Sequence, residues 1–309
     1  MNNLSLYILT VLIWGSTWIA VEFQIPASVV DPNGQIIGSS VAAEVSLVYR
    51  YAIASSVIFL WCWGQKLNLK FSLKTHGIFL AMGFLLFGLN YICVYVGQTY
   101  ITSALMAIIF SMVSWMNIFN ARIFFGTRSG PRVIFGAILG LAGLSLMFWP
   151  SIKGLSLNDA TLTGAVIGML GAYFASLGNM VSQAAQKRRL PVMESNAWAM
   201  LYGCIFTALI ALGQGQSFTM DWSFPYVASL LYLAVFGSVI AFWAYLTLLG
   251  RIGANKAGYA TIAFPVMAIL LSVFFEDLKI TAPLVIGMLM VIVGNVSILN
   301  RKPAKRHYL

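Results

Sequence analysis

Ten stretches of this chain run for about the length of a membrane crossing with almost no charge, and that pattern limits the folds open to it. A hydrocarbon core about 30 Å thick takes about 20 helical residues to cross. Runs at 4–23, 43–63, 77–97, 101–121, 130–149, 161–185, 193–213, 224–248, 253–274 and 281–299 meet that length. The segments between them are too short to bury a soluble core, so the protein is predicted to be a helical bundle plus loops. Composition agrees: 60% of the 309 residues are hydrophobic and 8% charged, against about 25% charged in an average soluble domain.

The formal charge of +10 invites a nucleic-acid reading, which the placement of the charges excludes. With the N-terminus in the cytoplasm, fifteen of the eighteen Lys and Arg residues, from Lys66 to Arg306, fall on the cytoplasmic side. Lys153 and Lys279 fall on the other side, and Arg50 lies inside the second run. This positive-inside bias predicts that both termini are cytoplasmic. Acids lean the opposite way, with Glu22, Asp31, Glu44, Asp159, Asp221, Glu276 and Asp277 outside and Glu194 inside. The first run carries no Lys or Arg before it and no clear small-residue cleavage site, so it reads as a retained span. Cys62, Cys93 and Cys204 all lie in predicted helices and read as small hydrophobes.

Ten runs divide into five and five, and an odd number forces the second half to enter from the opposite side. Ile123 to Thr127, "IFFGT", precedes Val273 to Asp277, "VFFED", by 150 residues, and "VIFG" at Val133 to Gly136 matches "LVIG" at Leu284 to Gly287. The fold expected is therefore an all-α integral membrane protein of two inverted five-helix repeats, 1–150 and 151–309.

"WGSTWIA" from Trp14, "YRYAIA" from Tyr49 and the block from Gly237 to Asp277 resemble the EamA-type members of the drug/metabolite transporter superfamily. The resemblance implies a ten-helix carrier of the bacterial inner membrane, exporting small metabolites, amino acids or drug-like compounds through a cavity lined mainly by helices other than the fifth and tenth. Three features depart from the family pattern. Trp115 stands near the counterpart of Pro265, Thr127 stands where an acid follows the Phe-Phe pair, and the loop from Gln24 to Ala43 is long. Within that loop "DPNG", Asp31 to Gly34, reads as a turn.

Several side chains are candidates for a substrate site. Trp14, Thr17 and Trp18 share one helical face that Glu22 extends, giving aromatic platforms for an apolar or cationic group and, in Glu22, a carboxylate suited to proton coupling. Packing for Thr17 and an interfacial anchor for Trp18 are the alternatives. Arg50 either snorkels toward Glu44 or Glu22, or grips a carboxylate or phosphate on the substrate. Tyr173, Ser176, Asn179 and Gln183 form a polar stripe along the sixth run that is read as cavity lining. Asn90, Tyr91, Tyr95 and Gln98 in the third run join the candidates, with Ser111, Ser114 and Trp115 in the fourth, Trp198 and Tyr202 in the seventh, and Trp243 and Tyr245 in the eighth. Pro265 removes one helical hydrogen bond near mid-membrane. Gly136, Gly140, Gly143, Gly287 and Gly294 suit close helix packing.

No metal-spaced Cys/His cluster, phosphate-binding Gly-Lys-Ser/Thr run or catalytic Ser/His/Asp set is evident, so neither cofactor nor catalysis is expected. The expected partners are a small-molecule substrate and the lipid bilayer, not nucleic acid, with homo-oligomerisation left open. The function expected is secondary transport, the alternatives being a multidrug exporter of hydrophobic cations, a flippase for lipid-linked substrates, a passive channel and a membrane-embedded enzyme.

Overall fold

Side-chain caps and left-handed glycines set several helix ends in this computed structural model, which describes residues 1–25, 29–30, 36–37, 39–101, 103–147, 149, 159–275 and 281–299. Asn2 accepts from the Ser5 amide at 2.8 Å to start α1 (Asn3–Glu22). Ser72 accepts from the Thr75 amide at 3.3 Å to start α3 (Leu73–Gln98). Each bond satisfies an amide that the first helical turn leaves without a partner. Between them runs α2 (Ala43–Gly64). The next run is interrupted at Met112, giving α4 (Ser103–Ser111) and α5 (Val113–Phe125), and Gly126 ends α5 in the left-handed region at φ 65°. Further along lie α6 (Pro131–Met147), α7 (Asp159–Lys187), α8 (Val192–Gly213) and α9 (Phe224–Ile252). The short α10 (Ala254–Ala257), α11 (Ala260–Phe275) and α12 (Ala282–Leu299) complete the order.

Among the described residues, seven helices are long and apolar enough to cross a membrane: α1, α2, α3, Ile108–Phe125, α7, α8 and α9. Pro131–Met147 and Ala282–Val296 are apolar but shorter. Exposed Trp61 and Trp63 lie where α2 ends, and exposed Trp222 and Phe224 where α9 begins. Amphipathic indoles such as those of Trp61, Trp63 and Trp222 favour the membrane surfaces. The molecule is thus a helical, multi-pass membrane protein. One feature departs from an all-α expectation: β1 (Val29–Val30) pairs antiparallel with β2 (Ile36–Ile37), Val29 opposite Ile37, within the long loop after α1. The "DPNG" stretch between these strands lies outside the described residues.

Packing follows a paired scheme. α2 lies along α8, and α6 lies along α12. α1 packs on α9 and α11, while α7 packs on α3, α4 and α5. At Gly143 an added Cβ would fall 2.6 Å from the Gly287 carbonyl oxygen, and one at Gly287 would fall 2.5 Å from that of Gly143. With no hydrophobic force between helices in lipid, such close backbone approach maximises dispersion contacts. The α6–α12 pair is therefore scaffold.

α3 and α9 share an irregularity. Each contains a π-helical segment, Gly83–Leu89 and Leu233–Ile240, where bonds run to the fifth residue. The two segments start 150 residues apart, at Gly83 and Leu233, the same offset that separates "IFFGT" from "VFFED".

Candidate functional site

Helical spacing places Trp14, Thr17 and Val21 on one stripe of α1. That stripe, Arg50 of α2, Asn90, Tyr91 and Tyr95 of α3, Asn179 of α7, Phe242 and Tyr245 of α9, and Thr261 and Phe264 of α11 line one cavity. Phe110 and Val113, flanking the α4–α5 interruption, close a further side. The space between these residues amounts to about 670 Å³, open solvent at its mouth included. Among the described residues, α6, α8 and α12 contribute none to the lining.

Arg50 is 2% exposed. Its Nε donates to Ser238 Oγ at 2.9 Å and its Nη1 to Tyr95 Oη at 3.3 Å. Its Cζ lies 4.8 Å from the Tyr91 ring centroid and 5.7 Å from that of Tyr51. These partners are all neutral, so they orient the guanidinium without neutralising it. Snorkelling, one of the two sequence-level readings for this residue, would carry the group to water, whereas here it is buried among rings.

The π segment of α9 makes this arrangement possible. Ser238 Oγ donates to the Leu233 carbonyl five residues earlier, at 3.0 Å, and its lone pair remains for Arg50. The neighbouring Gly237 carbonyl accepts from Trp14 Nε1 at 2.9 Å. Glycine leaves room there, because an added Cβ would come 3.1 Å from Thr17 Cγ2 and 3.4 Å from Arg50 Nη2 and crowd both.

Seven residues beyond Ser238, about 10 Å along α9, Tyr245 marks a second polar zone. Asn179 Nδ2 donates to Tyr245 Oη at 3.0 Å and to Asn117 Oδ1 at 3.3 Å, while Asn90 Nδ2 donates to the Leu86 carbonyl at 3.1 Å. The carboxamide oxygens of Asn90 and Asn179 are buried and have no hydrogen-bond partner among the described residues. Unpaired buried acceptors are costly and mark places where a ligand or water completes the bonding. Between the two zones stands an aromatic wall, with Trp14 centred 4.8 Å from Phe242, 5.0 Å from Tyr245 and 5.2 Å from Phe264. The cavity has a cationic zone at Arg50, a neutral polar zone at Asn179 and Tyr245, and the aromatic wall between them.

Trp14, Thr17, Arg50, Asn90, Tyr91, Tyr95, Asn179 and Tyr245 meet at the cavity, and the candidates that follow are placed elsewhere. Ser176 accepts from Asn120 Nδ2 at 2.9 Å, and Gln183 Oε1 accepts from the Ala254 amide at 3.0 Å. Tyr173 is exposed. Ser114 Oγ donates to the Gly258 carbonyl at 2.6 Å and pairs with Thr261 Oγ1 at 3.0 Å. Trp115 packs with Val133, Tyr259 and Ile262. Trp198 and Tyr202 stack 6.1 Å apart, and Tyr202 Oη pairs with His76 Nδ1 at 2.8 Å in a separate cluster. Trp243 is half-buried outside the lining, and Pro265 is buried within α11 beside Phe264. Glu22 ends α1, one residue past the lining Val21. Trp18 lies on α1, and its side chain is outside the described residues. Phe242 and Phe264 were not singled out in the sequence. Their one signal is an apolar ring three residues from a polar lining neighbour, Tyr245 and Thr261.

A bundle of apolar crossings around a mostly apolar cavity with a few converging polar groups defines a membrane protein of the transporter class. Residues 162–300 match the EamA-like transporter family, and the resemblance carried by the motifs is thereby shown in the second half. Two relatives from Bacillus subtilis are transporters by name. The chain is 24% identical over 92% of its length, and 91% of the relative's, to "Uncharacterized transporter YoaV" of Bacillus subtilis. It is 25% identical over 77% of its length, and 75% of the relative's, to "Uncharacterized transporter YvbV" of the same organism. Against "Protein PagO" of Salmonella typhimurium it is 21% identical over 94% of its length and 92% of the relative's. One solved crystal structure aligns over 94% of both chains with a TM-score of 0.75 at 16% identity, a likeness of fold.

Proposed function

We propose that this chain is a secondary transporter of the bacterial inner membrane that exports a small organic metabolite bearing a carboxylate, an amino acid or related amphipathic compound, by alternating access. Its ten crossings form two inverted repeats, 1–150 and 151–309, with both termini in the cytoplasm. Support for the repeats comes from packing. α2 with α8 and α6 with α12 are the self-paired couples a two-fold axis creates, the α1–α9 and α7–α3 contacts are equivalent, and the π segments recur at the repeat offset. Two such halves rocking about a shared site expose it to each side in turn.

The observation that carries the substrate class is Arg50. A buried guanidinium with neutral partners fits a carboxylate through its planar fork. The unpaired oxygen of Asn179 suits an ammonium group at the far end, and the Trp14 wall suits an apolar side chain. Glu22 at the rim is the proton-coupling carboxylate in this reading.

A thermal-shift screen of the detergent-purified protein against amino acids, amines, nucleosides and antibiotics tests it, with Arg50→Ala in parallel. A ligand that binds the folded state raises the melting temperature by mass action. A zwitterionic or anionic class should stabilise the parent and not the variant. Hydrophobic cations stabilising both equally would replace this reading with multidrug export on the aromatic wall.

A further inference from the structure

The end of the bundle where α2 begins holds a second, polar pocket. Glu44, the second residue of α2, faces it although 8% exposed. Ser40, Thr99, Gln216, Ser217 and Thr219 line the rest of its polar surface, with no Lys, Arg or His among the lining residues. Thr99 Oγ1 spends its proton on the Val96 carbonyl at 2.7 Å, and the Thr219 carbonyl accepts from Tyr49 Oη at 3.0 Å. Both oxygens therefore keep lone pairs. Among the described residues no hydrogen bond or ion pair reaches the Glu44 carboxylate.

Most of the Glu44 residue is buried while its carboxylate opens onto the pocket, where a bound cation would supply the counter-charge it lacks among the described residues. Its surroundings supply hydroxyl, amide and carbonyl oxygens, the donors preferred by hard cations. The lining carries one acid, and no group of three or more His, Cys, Asp or Glu assembles among the described residues, so the site lacks the anionic donors a divalent ion draws on. We infer that Glu44, with Thr99, Ser217 and Thr219, forms a binding site for a small monovalent cation, either an alkali ion or the ammonium head of an organic molecule. The site lies about 9 Å along α2 from Arg50, six residues away, and is independent of what the cavity carries.

Melting temperatures of the detergent-purified protein in NaCl, KCl, methylammonium chloride or choline chloride at fixed ionic strength test the site. Choline is the bulky reference. A saturable rise of a few degrees in sodium or potassium identifies an alkali site, and a rise in methylammonium an ammonium site; either is absent in Glu44→Gln. Equal melting in all four salts, or a cation-specific rise that survives Glu44→Gln, overturns the inference. Thr99→Val, which keeps the carboxylate and removes the Oγ1 lone pairs, should raise the half-saturating cation concentration several-fold, and this reading holds even where Glu44→Gln does not fold. An unchanged half-saturation in that variant also overturns the site.

Discussion

Arg50 Nε and Ser238 Oγ, from helices α2 and α9, lie 2.9 Å apart, and Ser238 can accept because its own proton is committed to Leu233 five residues back. The bond ties the guanidinium to a π segment, so site geometry depends on a helical irregularity as much as on the residues in contact. Arg50→Lys keeps the charge and loses the planar fork, the Tyr95 bond and the stacking on Tyr91. Substrate affinity should fall about 10-fold or more in Arg50→Lys and by less in Ser238→Ala, measured as ligand-dependent melting, since bonds to charged groups contribute about 1.5–3 kcal/mol.

Trp14→Phe retains a ring against Phe242 and Phe264 and removes the indole donor to the Gly237 carbonyl. Leaving that carbonyl buried without its partner should destabilise the protein by about 1–3 kcal/mol, read as a lower melting temperature. Trp14→Leu should be worse, because it also removes the aromatic contacts.

Gly143→Ala sets a Cβ 2.6 Å from the Gly287 carbonyl and forces α6 and α12 apart. The expected loss is about 1–3 kcal/mol, the usual penalty for overpacking. Gly213→Ala, where nothing lies within 4 Å, should leave the melting temperature nearly unchanged.

In proteoliposomes, Glu22→Gln should transport with no dependence on an imposed pH gradient, while the parent responds to it. Identical gradient dependence in the two proteins removes Glu22 from the coupling step.

Asp221 sits in the loop before α9, where the Ser223 amide donates to Oδ1 at 2.8 Å and Ser39 Oγ to Oδ2 at 3.3 Å. The Ser223 amide, foremost, holds its carboxyl below the usual carboxylate range. A depressed folded value means the ionised form is favoured in the folded state. Its stabilisation is full above the unfolded value of about 4 and is lost as pH falls through the folded value. The melting difference between parent and Asp221→Asn should therefore shrink as pH is lowered below about 4.

Local spacing was legible on α1 and misleading on α7. Trp14, Thr17 and Val21 stay on one stripe, and the cavity uses it. Tyr173, Ser176, Asn179 and Gln183 follow steps of three, three and four, and two steps of three at about 100° per residue leave Asn179 about 120° from Tyr173. So Asn179 meets the cavity, Tyr173 is exposed, and Ser176 and Gln183 bond to neighbouring helices. On α9, residues in the π segment advance less around the axis than α-helical ones, which shifts the phase of everything after it. The shift moves Phe242, Trp243 and Tyr245 together, and it is Phe242 and Tyr245, about 60° apart, that come to line the cavity while Trp243 does not.

What the sequence by itself determined was membrane residence and helical class, because hydrocarbon admits no unpaired backbone groups and long uncharged runs have few other uses. The repeat offset and the glycines at the α6–α12 contact were also there to be read, being properties of single runs. The tertiary structure alone decided that Arg50 turns inward onto Tyr91, Tyr95 and Ser238, and that Asn90 and Asn179 offer unpaired oxygens to the same space. These are meetings between helices far apart in the chain, set by helix rotation and by backbone bonding within the π segments, and rotation is fixed only when neighbouring surfaces pack.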